Sequence, residues 1–182
     1  MQKTIKYTIF NTKWGYFGLA GTAHALCRTQ LPGLKPEKIK SLLLTNLLAP
    51  NQDSSIKNRD SRIEFDKTYF KTLQEQITAY FEGSCVNFSP DIPLILDGFS
   101  SFGTSVLKTC REITFGQTIT YGQLAKKSGR SNASRAVGNA LARNPLPLII
   151  PCHRVVRSDG KLGGFSAPGG TALKKRMLKL EA

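Results

Sequence analysis

The sequence predicts an α+β protein: a small N-terminal antiparallel sheet with helices, then a mostly helical C-terminal part whose helix-turn-helix unit carries a candidate reactive cysteine. Three observations predict it. From Ile5 to Leu31, β-branched and aromatic residues are broken by glycines and by Asn11-Thr12-Lys13, the pattern of short strands and hairpins. Later segments instead repeat apolar residues at three and four, the helical period. Finally, two short helical stretches flank Ser128-Gly129-Arg130-Ser131, which reads as a helix-turn-helix.

Taken in order, Pro32-Gly33 makes a turn and Pro36 opens a helix from Glu37 to Leu48, with Ile39, Leu42, Leu43 and Leu47 on one face. Residues 50–60 are polar and read as a loop. A second helix is expected from Asp66 to Phe81, its apolar face formed by Phe70, Leu73, Ile77, Tyr80 and Phe81, and Glu82-Gly83-Ser84 ends it. Val86 to Leu96 reads as one more strand, broken by prolines. A boundary near Gly98–Gly103 divides an N-terminal α+β support domain, 1–98, from a C-terminal domain, 99–182. Helical spacing resumes at Thr104, with Val106, Leu107, Cys110 and Ile113; Cys110 and Cys85 both read as buried packing residues.

Thr114-Phe115-Gly116-Gln117 forms a turn. Thr120 is a suitable N-cap for Tyr121–Lys127, and Gly129 suits a positive φ at its end. Ser131 is the expected cap of a following helix, Asn132–Arg143. That helix is rich in small residues (Ala133, Ser134, Ala136, Gly138, Ala140, Ala142), which let a backbone approach a partner closely. Arg135 is its long side chain, placed either to enter a groove or to sit on a solvated face.

The formal net charge is +14, unevenly spread: residues 104–182 hold 14 Lys and Arg against only Glu112, Asp159 and Glu181. Such an excess attracts polyanions, nucleic acid first. No apolar run approaches the roughly 20 residues of a membrane span, and MQKTIKYTIF lacks a secretory core, so a cytoplasmic protein is expected, or a nuclear one in a cell with a nucleus. Cys27, Cys85, Cys110 and Cys152 are scattered, and the histidines are His24 and His153 alone; neither a metal site nor a disulfide framework is expected.

Pro151-Cys152-His153-Arg154 carries the chemistry. Histidine can draw a proton from a thiol, and the thiolate is the nucleophile. In an extended strand adjacent side chains diverge, so a turn at Pro151 is needed to bring sulfur and imidazole together, directly or through one water.

Tyr121-Gly122-Gln123-Leu124-Ala125, Arg135-Ala136-Val137-Gly138, Asn144-Pro145 and Pro151-Cys152-His153-Arg154-Val155-Val156 together resemble the O6-alkylguanine-DNA alkyltransferases, in order and spacing through residues 104–166 and more briefly to Glu181. The resemblance implies transfer of an alkyl group from guanine O6, less readily thymine O4, to Cys152, once per molecule and without a cofactor. It makes His153 the base acting through a water, Glu181 the acid that polarises it, and Asn144 a hinge tying the DNA-binding unit to the cysteine turn. Tyr121 would contact the base and its 3′ phosphate. Backbone groups of Cys152, Val155 and Ser166 would read the guanine edge. Arg135 would fill the gap left by a flipped base, with Ser134, Ala136 and Gly138 entering the minor groove of double-stranded DNA. Phe165 stands where the family usually has tyrosine, so Ser166 or Tyr121 must stabilise the leaving guanine. A monomer is expected. Read without the family pattern, Glu181 is a frayed terminal acid, Asn144 a helix stop and Tyr121 a core aromatic. The rival from another class is a non-catalytic damage binder, which Cys152 argues against; a cysteine hydrolase shares only the nucleophile.

Overall fold

The computed structural model describes residues 4–45 and 62–182, which fall into two compact units, Met1–Gly98 and Phe99–Ala182. The expected loop over 50–60 and the expected end of the first helix at Leu47-Leu48 lie outside the described residues.

The first unit is built on a four-stranded sheet. Strands β1 (Thr4–Thr12), β2 (Gly15–Gly21) and β3 (Leu26–Gln30) form the expected antiparallel meander. Lys13 and Trp14 span the tight turn between β1 and β2. Thr12 Oγ1 donates to the Gly15 carbonyl at 2.6 Å, and Gly15 takes φ 111°. Helix α1 (Pro36–Leu44) covers one face of the sheet. A Cβ on Gly18 would lie 2.6 Å from Leu43 Cδ1 and 2.7 Å from Ile39 Cγ2, so the missing side chain is what lets α1 lie directly on β2. Tyr7, Ala20, Cys27, Ile39, Leu43 and Leu44 form that core. Helix α2 (Lys71–Glu82) meets the other face, where Phe81 packs on Phe17 and Trp14.

Four expectations for this unit are corrected. The sheet is mixed, because a fourth strand, β4 (Arg62–Phe65), joins the edge parallel to β1 in the order β3-β2-β1-β4. Helix α2 begins at Lys71 rather than Asp66. Asp66 instead ties a turn, its Oδ1 accepting from the Thr68 N–H and hydroxyl at 2.9 and 2.6 Å while Lys6 Nζ holds Oδ2 at 2.8 Å; Phe70 then enters the left-handed region at φ 51°. Val86–Leu96 is no strand: it turns at residues 90–92, a single bridge pairs Leu94 with Leu26, and the prolines stop it from spreading. Cys85 is exposed, not packed.

The second unit packs three helices, α3 (Ser101–Arg111), α4 (Tyr121–Lys127) and α5 (Ser134–Ala142). Helix α3 starts three residues before the expected Thr104, capped by Ser100, whose side chain accepts from Gly103 N–H. It buries Val106, Leu107 and Cys110. Thr120 caps α4 as expected and makes a full capping box with Gln123. Gly129 takes φ 90° after it.

Helix α5 departs from expectation. Asn132 takes φ 63°, so Ser131 cannot cap it; the helix starts at Ser134 after Ala133, with no side-chain cap. Asparagine tolerates that left-handed conformation where most residues do not. A short parallel ribbon joins β5 (Ile119–Thr120) to β6 (Val155–Val156), which fixes the segment after Cys152 beside the start of α4. Helix α6 (Gly170–Leu180) closes the unit against the Cys152 turn.

Candidate active site

The predicted turn at Pro151 is present as one turn of 3-10 helix, Cys152–Arg154, all three residues buried. It follows a loop in which Leu148 takes φ 79° while 1% exposed. A bulky residue there costs on the order of 1–3 kcal/mol and persists only where its surroundings hold it. Asn144 is one holder. Its Oδ1 accepts from Leu146 N–H at 3.0 Å, and its Nδ2 donates to the Ile150 carbonyl at 2.8 Å and to Cys152 Sγ at 3.2 Å. Asn144 thus reaches the sulfur itself.

His153 is fully buried. Its Nε2 lies 2.7 Å from Glu181 Oε1, and its Nδ1 is buried without a hydrogen-bond partner. Glu181 is far from frayed: it is 5% exposed and also receives Arg154 Nε at 2.8 Å on Oε2 and Nη2 at 3.0 Å on Oε1. Gly116, at φ 74°, lets the backbone pass the Glu181 carbonyl, which a Cβ would meet at 3.1 Å.

Two charged residues escaped the sequence reading. Arg154 was noted only as part of the motif, and Lys174 not at all. Lys174 is buried; its Nζ donates to the Val155 carbonyl at 2.6 Å and lies 5.8 Å from the centre of the Tyr121 ring. The available signal for Lys174 was its helical register, three before buried Met177 and seven before Glu181, on the inward stripe of α6.

Electrostatics at the pair follow from burial, which disfavours charge. It pushes the Cys152 thiol up, against the Asn144 hydrogen bond and the nearby Lys174 charge, which pull it down. It pushes His153 down, against the Glu181 hydrogen bond and charge. The resting pair is therefore a thiol and a neutral imidazole. Burial likewise lowers Lys174 and raises the Tyr121 phenol.

Cys152 is 8% exposed, and that exposure opens into a cavity of about 720 Å³. Of the expected site residues, Tyr121, Ser134, Arg135, Gly138, Phe165 and Ser166 line it with Cys152, joined by Arg157 and Ser158, which the sequence reading did not single out. Tyr121 packs its hydroxyl against Gly163, where a Cβ would lie at 2.8 Å. Asn144, His153, Glu181 and Val155 are not among the lining residues: Asn144 reaches the sulfur, His153 and Glu181 pair with each other in the interior, and Val155 is buried with its carbonyl engaged by Lys174. Ala136 is exposed on α5 and is not among the lining residues. Among the described residues, no group of three His, Cys, Asp or Glu could hold a metal ion.

The arrangement is a buried cysteine held by an asparagine and followed by a buried histidine–carboxylate pair, and the cysteine opens on a cavity lined in part by the two helices of the helix-turn-helix. Residues 101–182 match the family model for the 6-O-methylguanine DNA methyltransferase DNA-binding domain. Similar proteins named methylated-DNA–protein-cysteine methyltransferase occur in Methanosarcina acetivorans, 43% identical over 67% of this chain and 74% of the relative, and in Methanosarcina barkeri, 44% identical over 64% and 70%. The crystal structure of Mycobacterium tuberculosis OGT in complex with DNA is similar at TM-score 0.72 and 30% identity, over 97% of this chain and 92% of that one. The chain belongs to the methylated-DNA–protein-cysteine methyltransferase family, the enzyme class that its sequence resembles.

Proposed function

We propose that this protein repairs DNA directly, flipping an alkylated guanine out of the duplex and moving the O6 alkyl group to Cys152. The observation that carries this reading is a cavity that opens on Cys152, whose sulfur Asn144 holds at 3.2 Å and whose chain neighbour His153 is bound to Glu181 at 2.7 Å.

In the duplex the alkyl carbon is shielded, so the nucleotide must rotate out at a cost of a few kcal/mol, least for a weakened pair. Helix α5 enters the minor groove with Ser134, Ala136 and Gly138, Arg135 fills the gap in the stack, and Tyr121 helps to turn the nucleotide. In the cavity, Ser166 and backbone groups near Cys152 and Val155 read the guanine edge. The Cys152 proton passes to His153 Nδ1 through a water, and the thiolate attacks the alkyl carbon. A carbon–sulfur bond forms, the carbon–O6 bond breaks with its electron pair going to the base, and guanine takes up a proton from water as His153 returns its own to water, so that the thiol proton is in net terms passed to the base. Lys174 and the Asn144 amide favour the transient thiolate. Direct displacement requires no cofactor. The thioether is stable, so each molecule acts once. O4-alkylthymine fits the same chemistry less well. Phe165 walls the cavity but offers no hydroxyl to O6, which leaves Ser166 and Tyr121 to stabilise the leaving base. The protein acts as a monomer.

The test is the intact mass of the protein after incubation with a duplex containing O6-methylguanine. The expected result is a gain of one methyl, absent with unmodified duplex and absent in Cys152→Ala. Tight binding to the modified duplex with no change in mass would instead make it a damage binder.

A further inference from the structure

Arg154 is 3% exposed, and each nitrogen of its guanidinium is engaged. Nε and Nη2 take the two oxygens of Glu181, Nη1 donates to the Ile113 carbonyl, and the group lies 6.0 Å from the centre of the Phe115 ring. A guanidinium does not lose its proton, so a buried one must be paired. Here its partner is the same carboxylate that holds His153. Glu181 Oε1 accepts from Arg154 Nη2 and faces His153 Nε2. A carboxylate with arginine donors on both oxygens stays ionised and can only accept. His153 Nε2 must then be the donor. Nδ1, buried and without a partner, carries the lone pair.

We infer that Arg154 is a positioning residue for alkyl transfer: its fork fixes the Glu181 carboxylate, and with it the His153 tautomer that leaves Nδ1 open to take the Cys152 proton. The purpose rests on the reaction proposed above; the geometry does not. The charged and titratable groups around the imidazole are Glu181, Arg154 and Lys174, with Cys152 next to it in the chain. Arg154 and Lys174 disfavour the imidazolium, in the same sense as burial, and Glu181 favours it. Removing Arg154 leaves the Glu181 charge acting on the ring with less opposition, so His153 would take up a proton at higher pH and be lost as a base there.

Two readouts test this. The chain has two histidines, so nitrogen NMR of histidine-labelled protein separates His153 from His24. At pH 7 the unaltered protein should show His153 protonated at Nε2 and bare at Nδ1; an Nδ1–H tautomer or a doubly protonated ring would overturn the inference. The second readout is the rate of transfer from free O6-alkylguanine as a function of pH, which leaves DNA binding out. In Arg154→Met the acid limb should move up by about one pH unit, a tenfold loss at pH values on that limb. Arg154→Lys should restore much of the limb's position, since it keeps the charge without the fork. An unmoved limb in a folded Arg154→Met protein would also overturn it. Should that variant fail to fold, the tautomer in the unaltered protein decides. Should Cys152 accept no alkyl group at all, the proposed reaction fails while the tautomer still judges Arg154.

Discussion

At the scale of single residues, the site places two groups that each resist charge next to one another. Burial raises the Cys152 thiol and lowers His153, so on the proposed reaction the thiolate would be made at the moment of use rather than held in store. This has a consequence for pH. A base is lost when it is protonated, and His153 protonates below the ordinary histidine value of about 6.5. The rate of alkyl transfer should therefore stay level from pH 8 to pH 6.5 and fall only below that, the fall vanishing in a variant that lacks His153. Measuring the single-turnover rate across that range checks it; a decline centred above pH 6.5 would contradict the environment described for His153. The turn at Cys152-His153 was legible in the sequence because proline precedes the pair. Arg154 and Lys174 were not legible. A buried cation makes sense only through its partners, and Glu181 lies 27 residues from Arg154 in the chain.

At the scale of elements, the helix pair was readable where its signals are local. Thr120 and Gln123 form a capping box three residues apart, and Gly129 has the positive φ that it alone adopts cheaply. The start of α5 was not, because Ser131 is as good a cap by type as any, and only the left-handed Asn132 displaces the helix to Ser134. The same holds for α2, delayed by the Asp66 turn, and for β4, whose parallel partner β1 lies more than 50 residues away. Helix α5 also yields a test of its small residues. Nothing lies within 4 Å of a Cβ added to Gly138, so Gly138→Ala should raise folding stability by about 0.5–1 kcal/mol. If the backbone must approach DNA closely, the same change should slow repair of duplex while leaving transfer from the free base alone. Thermal melting and the two rates check this; equal duplex repair would detach Gly138 from DNA approach. In the first unit, Gly18→Ala should do the reverse to stability, costing about 1–3 kcal/mol, because Leu43 and Ile39 already fill the space.

At the scale of the whole molecule, charge is the property that the sequence displays most directly. The basic excess lies in residues 104–182, the same stretch that holds the cavity and α5. Affinity for unmodified duplex should then fall with salt, by about tenfold between 50 and 200 mM for as few as two phosphate contacts. A salt-independent affinity would contradict a backbone-driven encounter. The α+β class and the family were legible from motifs in the second unit, whereas the details of the first depended on pairings distant in sequence. The central claim concerns one sulfur among four. Cys85 is exposed, Cys27 and Cys110 are buried, and Cys152 alone opens on the cavity. The most direct measurement is therefore the number and position of methyl groups transferred from an excess of O6-methylguanine duplex, read by peptide mass. The account predicts a plateau at one methyl per molecule, all of it on the peptide holding Cys152. Methyl on the exposed Cys85, or a plateau beyond one, would contradict it.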